Sequence, residues 1–281
     1  MRPAPPRIWL GIDFSGNHLQ WRATDGARAV WIATVIEERR AGPRVTDVRR
    51  VQELPGAAAP FARLAQFLRD APFAVAGIDA PFAPPAAHHP FATRAELIER
   101  IMALRCDPRP FPTGAALVGL LAPALAPRGR HVFRATERLW RARGLNVRSV
   151  TWNGPRGGAP FTAACLRLQG ACARPAWPWA PRDTGRLLAE VFPAAQLKTW
   201  NLPSDRYNGA AASARERRAT IVAGLAARVQ LPDAIAALLL ASADALDSVV
   251  CALAARAVSE DTLRDEPGPE AAREGWMAVH R

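Results

Sequence analysis

The sequence predicts an α/β fold with a mixed central sheet flanked by helices. Two short apolar runs of strand length both end in Gly-Ile-Asp, the first at Asp13 and the second at Asp79. Between them lie two more strand-like runs and one run with helical spacing, which gives the order β-β-β-α-β. A helical crossover places the returning strand parallel to the first strand and beside it.

Each element of this order has its own signal. The first strand lies within residues 7–16, after a proline cluster. Residues 29–37 are rich in Trp, Ile and Val, and residues 43–54 alternate valine with polar side chains, so short connections predict an antiparallel meander. Residues 56–70 carry apolar side chains at helical spacing and lead into the second Gly-Ile-Asp strand, within residues 73–82.

The remainder of the chain is predicted to be mainly helical. Thr93 caps a helix that ends near Leu104, and residues 131–143 form a basic helix. The later elements are a strand at 185–193, Ala-rich helices at 213–229, 232–240 and 242–258, a loose charged tail at 259–273 and a last strand at 275–280. We expect a single domain over residues 1–281, with residues 105–180 as an insertion or cap over the site.

The charge balance favours an anionic partner. The 281 residues carry a formal net charge of +12, which is typical of proteins that bind nucleic acid or other polyanions. Lys198 is the only lysine, so a compositional bias explains the preference for arginine, although not the surplus of positive charge. The four cysteines form no C-x-x-C pair, so neither a zinc site nor a disulfide framework is expected.

The chain carries no signal for a membrane. The first residues lack the apolar segment of a secretory signal, and the longest apolar segment, residues 234–243, is too short to span a bilayer. We therefore expect a soluble cytoplasmic protein.

Acidic residues at element ends predict a metal site. Asp13 and Asp79 end two apolar strands, and Glu190 lies on a later strand. Asp244 and Asp247 are three residues apart and share one face of a helix whose apolar stripe must face the sheet. Carboxylates gathered in this way suit Mg²⁺ or Mn²⁺, and two such ions can promote phosphodiester cleavage.

The same residues carry a resemblance to a known family. In order, the motifs are Gly-Ile-Asp13, Gly-Ile-Asp79-Ala-Pro, Glu190-Val-Phe-Pro-Ala-Ala and Asp244-Ala-Leu-Asp247-Ser-Val-Val-Cys-Ala-Leu-Ala-Ala, with Glu274-Gly-Trp-Met near the end. This set resembles the bacterial and archaeal family called domain of unknown function 429, which is described as predicted nucleases with an RNase H-like fold. The helix at 242–258 also resembles that of Holliday-junction resolvases.

The resemblance implies a role for each acid. Asp13 would bridge two metal ions, Asp79 and Glu190 would each bind one, and Asp247, with Asp244, would complete the site. The family often has a lysine after the residue that corresponds to Tyr207, whereas this chain has Asn208. The resemblance therefore does not carry a cationic helper over to that position.

Four of the five acids also have a simpler explanation. Asp13 and Asp79 can cap the turns that follow their strands. Glu190 can form an ion pair with the nearby Arg186, and Asp244 can be an exposed acid that the helix dipole favours. The residue pattern leaves these alternatives open.

A basic strip on the helix at 131–143 is a candidate nucleic-acid contact. Arg134, Arg138 and Arg141 lie on one helical face. Binding to DNA or RNA phosphates explains this strip, and a solvated arginine-rich face explains it equally well.

These observations predict a nuclease that depends on divalent metal ions, with arginines holding the DNA or RNA strand. One alternative is a nucleic-acid-binding module of the same fold with an idle site. A second alternative is a phosphotransferase of the actin-like ATPase type. It is disfavoured because Asp-Phe-Ser-Gly at 13–16 has no later Asp-x-Gly partner in the chain.

Overall fold

The computed structural model describes residues 6–23, 29–38, 42–88, 90–106, 108–121 and 131–281. These residues form one sheet with the strand order β3-β2-β1-β4-β6-β5. The six strands are β1 (Arg7–Asp13), β2 (Trp31–Glu37), β3 (Arg44–Arg50), β4 (Val75–Ile78), β5 (Ala176–Trp177) and β6 (Leu187–Glu190).

Helices cover both faces of this sheet. In chain order they are α1 (Pro60–Asp70), α2 (Arg94–Ala103), α3 (Gly114–Leu121), α4 (Ala135–Ala142), α5 (Ala159–Cys172), α6 (Pro193–Thr199), α7 (Ala212–Ala226), α8 (Asp233–Ala241), α9 (Ala243–Glu260) and α10 (Ala271–Glu274). Thr93 caps α2 by accepting a hydrogen bond from the Glu96 amide, as the sequence predicted. Within the described residues, no single helix is long and apolar enough to cross a membrane; α8 and α9 together meet the test, but they are bent by 120°.

The strand directions confirm the predicted α/β class and the mixed sheet. β1 pairs antiparallel with β2, and β2 pairs antiparallel with β3, which is the expected meander. β4 returns parallel to β1 after α1, with Ile12 opposite Ile78. β6 is parallel to β4 and continues the register, with Ile78 opposite Glu190. The carboxyl ends of β1, β4 and β6 therefore lie side by side.

Alternation along β1 and β4 separates two layers of core. Trp9 and Val75 belong to the cluster that includes α7 and α9. Ile12 and Ile78 belong to the cluster on the other face, which includes α1 and α5. Because successive strand residues point to opposite faces, the residue before and the residue after each of these isoleucines face α9.

The glycines of the two Gly-Ile-Asp motifs allow α9 to approach the sheet. A Cβ atom on Gly11 would lie 2.0 Å from the Ser248 carbonyl oxygen and 2.2 Å from the Ala252 nitrogen. A Cβ atom on Gly77 would lie 2.4 Å from the Cys251 carbonyl oxygen. The motif thus combines a contact point for α9 with an aspartate two residues later on the same face.

Three predictions about the later chain need correction. Residues 176–177, expected in the insertion, form the edge strand β5. Residues 259–273, expected to be loose, are held to the body, where Leu263 is buried and Arg143 donates a 2.6 Å hydrogen bond to Asp265. Residues 275–280 form isolated bridges rather than a strand, because their partners Val191 and Leu263 belong to different segments.

Candidate functional site

Asp13 and Asp79 lie next to each other at the carboxyl ends of two parallel strands. The amide of Asp79 donates a 3.0 Å hydrogen bond to the Ile12 carbonyl, so the chain leaves both strands at the same level. Both side chains are partly buried and lie on the sheet face covered by α9. Among the described residues, no cationic side chain or hydrogen-bond donor contacts either carboxyl group. Neither aspartate therefore acts as a turn cap.

The first turns of α9 bring two more aspartates to this place. Ser242 caps α9 by accepting a hydrogen bond from the Ala245 amide, which fixes the start of the helix. Asp244 and Asp247 follow within the next turn. Asp244 lies one turn before Ser248, whose carbonyl oxygen packs against β1. Four of the five predicted acids thus lie around the junction of β1, β4 and α9.

Burial and neighbouring acids raise the pKa values of Asp13, Asp247 and Asp79. Burial raises the pKa of Asp13 well above its ordinary value, and Asp247, Asp244 and Asp79 raise it further, in that order. Burial and the charge of Asp79 likewise raise the pKa of Asp247. The pKa of Asp79 rises to about 7 because of burial and then the charge of Glu190. Gathering so many like charges costs free energy unless protons or a cation neutralise them.

Tyr207 fixes the position of Asp247. Its hydroxyl donates a 2.8 Å hydrogen bond to Asp247 Oδ1, and its ring is buried. Arg218 in turn holds the backbone around Tyr207, because its guanidinium donates to the carbonyls of Tyr207, Gly209 and, at 2.8 Å, Leu240. Sequence reasoning missed the roles of Tyr207 and Arg218, since neither residue belongs to a periodic pattern or a short motif.

A cleft of about 900 Å³ opens beside the four aspartates. Asp13 and Asp244 line it, and Asp79 and Asp247 do not. The lining also includes the exposed Arg215 and the partly exposed Phe161. The cleft thus gives solvent and a ligand access to two of the four carboxyl groups.

Glu190 belongs to a buried ion-pair network instead. Both of its oxygens accept from the Arg134 guanidinium, through Nη1 at 2.7 Å and through Nη2, and Oε2 also accepts a 2.9 Å hydrogen bond from the Phe82 amide. Arg134 also donates through Nε to Glu137 at 3.2 Å and through Nη1 to the Glu274 carbonyl at 3.0 Å. Although burial lowers the pKa of Arg134, the charges of Glu190 and Glu137 raise it above its ordinary value.

This network corrects two predictions. Glu190 is not paired with Arg186, and its carboxylate is bound by Arg134 and the Phe82 amide, so it is not free to act as a metal ligand in this arrangement. Arg134 does not belong to an exposed basic strip, because its side chain is fully buried at the start of α4. Its isolated charge could not be buried there without the two glutamates.

The other two arginines of the predicted strip remain on the surface. Arg138 donates a 2.6 Å hydrogen bond to the Phe133 carbonyl, and Arg141 donates a 3.0 Å bond to the Val147 carbonyl. The guanidinium carbon of Arg141 also lies 4.2 Å from the centre of the Phe133 ring. Neither contact involves an acid, so both side chains keep a net positive charge at the surface.

The side chains as they stand do not form a finished metal cage. Among the described residues, no group of three or more histidine, cysteine, aspartate or glutamate side chains is arranged to hold an ion. The donor set is nevertheless chemically suited to a hard divalent cation, because it consists of carboxylate oxygens, and no cationic side chain of the described segments contacts Asp13 or Asp79. The side chains would have to move for several of these oxygens to meet at one point.

Comparison with known proteins gives a family for the chain. A family model with the description "Protein of unknown function (DUF429)" matches residues 11–272. The chain belongs to the DUF429 family. The matched segment includes both Gly-Ile-Asp motifs and all of α9, so the residues of the candidate site lie within the part shared with DUF429. No curated protein and no solved structure matches the chain.

Proposed function

We propose that this DUF429 protein is a nuclease that depends on divalent metal ions and hydrolyses phosphodiester bonds of nucleic acid. The observation that carries the proposal is the coupling of four aspartates from β1, β4 and α9 beside a cleft that also exposes an arginine. Mutually repelling carboxyl groups at a solvent-accessible position are typical of sites tuned for function rather than for stability.

The strand order supports an RNase H-like fold. A three-stranded antiparallel meander, a helix and a parallel return strand place Asp13 and Asp79 on neighbouring strand ends, which is what the resemblance implied. The acids on α9 join them from the same face of the sheet. The predicted site residues Asp13, Asp79, Asp244 and Asp247 keep their proposed role, and Glu190 moves to a supporting one.

The described side chains would have separate roles in this reaction. Asp13, Asp79, Asp244 and Asp247 would hold Mg²⁺ or Mn²⁺, which when bound activates water and stabilises the leaving oxygen. Tyr207 orients the Asp247 carboxylate through its hydrogen bond. Glu190 holds the backbone at Phe82, three residues beyond Asp79, and so positions the loop after β4. Arg138 and Arg141 supply positive surface charge for the phosphate backbone.

An activity assay with matched variants tests the proposal. The purified protein is incubated with labelled single-stranded and double-stranded DNA and RNA in Mg²⁺ or Mn²⁺, and cleavage is followed on gels. We expect cleavage by the wild type and a loss of at least about 100-fold in Asp13→Asn, because that substitution removes a charged oxygen ligand. Asp183→Asn is the matched control, since Asp183 is exposed and lies outside the site.

Two results would contradict the proposal. The first is the absence of cleavage with either ion on every substrate, which with retained binding would favour the idle-site alternative. The second is cleavage that Asp13→Asn leaves unchanged, because the activity would then come from elsewhere. Titration calorimetry with Mn²⁺ provides a readout that does not depend on choosing the right substrate.

A further inference from the structure

The cleft beside the aspartates is lined by a phenylalanine and an exposed arginine. Phe161 is the third residue of α5 and is partly exposed, and Arg215 lies on α7 and is exposed. Both residues line the cleft together with Asp13 and Asp244. An apolar ring and a cation thus share one cavity with two of the proposed metal ligands.

The turn after β1 packs against the backbone of Phe161, because Gly16 lies three residues after Asp13 and touches the start of α5. A Cβ atom on Gly16 would lie 2.5 Å from the Phe161 nitrogen and 2.6 Å from the Pro160 carbonyl carbon. The backbone at Gly16 therefore packs directly against the first turn of α5. The packing of Gly16, three residues after Asp13, against α5 therefore holds the backbone of Phe161 in place. Backbone packing of this kind is more rigid than a contact between side chains.

The arginines that line the cleft form no ion pair with an acid in the part of the chain that the structure describes. Among the described residues, no acid contacts the Arg215 guanidinium, and Arg218, which also lines the cleft, bonds only to carbonyl oxygens. Arg218 is buried, so its charge is poorly screened by water. The two arginines thus place positive charge in the cleft that Asp13 and Asp244 also line, so that a phosphate group has cations to contact there.

We infer that the cleft binds an unpaired nucleotide of a single strand, with its base stacked on Phe161 and its phosphate held by Arg215. Base faces are covered by their neighbours inside a duplex, so an aromatic ring can stack only on a base that has left the helix. Arginine suits the phosphate because its planar fork matches the phosphate oxygens. This inference rests on the proposed nuclease function and names its substrate class as single-stranded nucleic acid.

Binding without cleavage tests the inference. Fluorescence anisotropy in EDTA compares a short labelled single strand with the same sequence in a blunt duplex. We expect tighter binding of the single strand by the wild type. Phe161→Leu should weaken it by about 5- to 100-fold, as expected for the loss of one stacked base, whereas Phe161→Tyr keeps the ring and should bind like the wild type. Leucine keeps the apolar contact of the ring, and melting temperatures confirm that both variants fold.

A charge-matched pair tests the arginine. Arg215→Gln should weaken binding and lower the slope of log affinity against log salt by about 1, as for the loss of one phosphate contact. Arg217→Gln removes the same charge from the same helix, but Arg217 pairs with Asp205 at 3.3 Å and lies outside the cleft, so it should change the slope less.

The outcomes separate this inference from the proposed function. Equal affinity for duplex and single strand, or full affinity in Phe161→Leu, would overturn the inference even if the protein cleaves nucleic acid. Ring-dependent binding of the single strand in EDTA would support it even if no cleavage is found with Mg²⁺ or Mn²⁺. In that case only the proposed nuclease function fails.

Discussion

Tyr207 donates a 2.8 Å hydrogen bond to Asp247, one of the four mutually repelling aspartates of the site. Its phenol is therefore a reporter of the charge at this site. Burial raises the pKa of Tyr207 well above its ordinary value, and the charge of Asp247 and the hydrogen bond raise it further. Because ionised aspartates around a phenol disfavour the phenolate, a cation that neutralises them must lower this pKa.

We predict that Mg²⁺ or Mn²⁺ lowers the pKa of Tyr207. The chain has a single tyrosine, so the phenolate absorbance during an alkaline titration reports on this residue alone. In EDTA the phenol should stay protonated beyond the ordinary range of tyrosine, and Mg²⁺ at a concentration that stays soluble at alkaline pH should shift the titration to lower pH. Asp13→Asn should reduce this shift. A titration that the ions leave unchanged would mean that they do not bind near Tyr207.

Removal of the phenol hydroxyl should weaken the site without unfolding the protein. In Tyr207→Phe the ring stays in place, and Asp247 loses the donor that orients it. Outer-shell groups of this kind typically contribute about 10- to 100-fold to metal affinity or activity. We expect a loss in this range in Mn²⁺ affinity measured by calorimetry. An unchanged affinity in a folded variant would show that the hydrogen bond has no role in positioning Asp247.

Asp79 should make the stability of the metal-free protein depend on pH. Its pKa is raised from 3.8 to about 7, so between these values the folded protein binds more protons than the unfolded chain. The contribution of Asp79 to the stability of the protein is then highest below pH 4, and it falls as the pH rises towards 7. Because water screens the partly exposed Asp79 carboxylate, we expect a loss of about 1–2 kcal/mol in unfolding free energy, or about 2–8 °C in Tm.

Thermal unfolding in EDTA across this pH range measures the effect. Asp79→Asn should flatten the decline because the amide does not ionise, whereas Asp183→Asn should leave it unchanged. Mg²⁺ should raise Tm more at pH 8, where the acids are ionised, than at pH 5. A Tm in EDTA that rises with pH through this range in the wild type, but not in Asp79→Asn, would contradict the raised pKa of Asp79.

Much of the fold was accessible from the sequence because local patterns determine it. Apolar runs of strand length and the helical spacing at 56–70 predict the first four strands and their directions. A short connection makes neighbouring strands antiparallel, and a helical crossover makes them parallel. The two-residue strand β5 could not be predicted, because residues 176–177 join the sheet only through tertiary packing. The same is true of the residues after 259, whose order depends on contacts with distant partners such as Arg143.

Only the site residues that belong to a motif or a periodic pattern could be predicted from the sequence. Asp13, Asp79, Asp244 and Asp247 follow from strand ends and helix periodicity. The partner of Glu190 does not, because Arg134 is 56 residues away in the sequence and only the fold brings them together. A fully buried arginine also looks the same in the sequence as its exposed neighbours Arg138 and Arg141. Burial of a charge is decided by a partner that the local pattern does not name.

The pair formed by Arg134 and Glu190 gives a prediction that separates support from catalysis. Arg134→Met leaves Glu190 and Glu137 buried without their counter-charge, and we expect a loss of about 3–5 kcal/mol in unfolding free energy. Glu190→Gln should cost less, because Arg134 keeps Glu137. Its Mn²⁺ affinity should stay within a few-fold of the wild type, in contrast to Asp13→Asn.

Denaturant titration and calorimetry on these variants distinguish the two roles of Glu190. If Glu190→Gln folds with wild-type stability and loses Mn²⁺ binding, Glu190 is a metal ligand after all. If it loses stability and keeps Mn²⁺ binding, the supporting role stands. The double variant Arg134→Met/Glu190→Gln should lose less stability than the sum of the single variants, because the two residues interact directly.

The close approach of α9 to β1 should make Gly11 intolerant of any side chain. A Cβ atom there would meet backbone atoms of Ser248 and Ala252, which cannot rotate away as a side chain could. Gly11→Ala must therefore push α9 off the sheet, and we expect a loss of at least about 3 kcal/mol in unfolding free energy. Gly119→Ala is the matched control. Gly119 lies inside α3, none of the described residues comes within 4 Å of its Cβ position, and alanine there should stabilise the helix by about 1 kcal/mol. Denaturant unfolding measures both changes, and Mn²⁺ calorimetry on any folded Gly11→Ala protein measures whether the displaced acids of α9 still contribute to ion affinity. A Gly11→Ala variant as stable as the wild type would mean that α9 does not pack on β1 at this distance, and the acids of α9 and β1 would then have no reason to form one site.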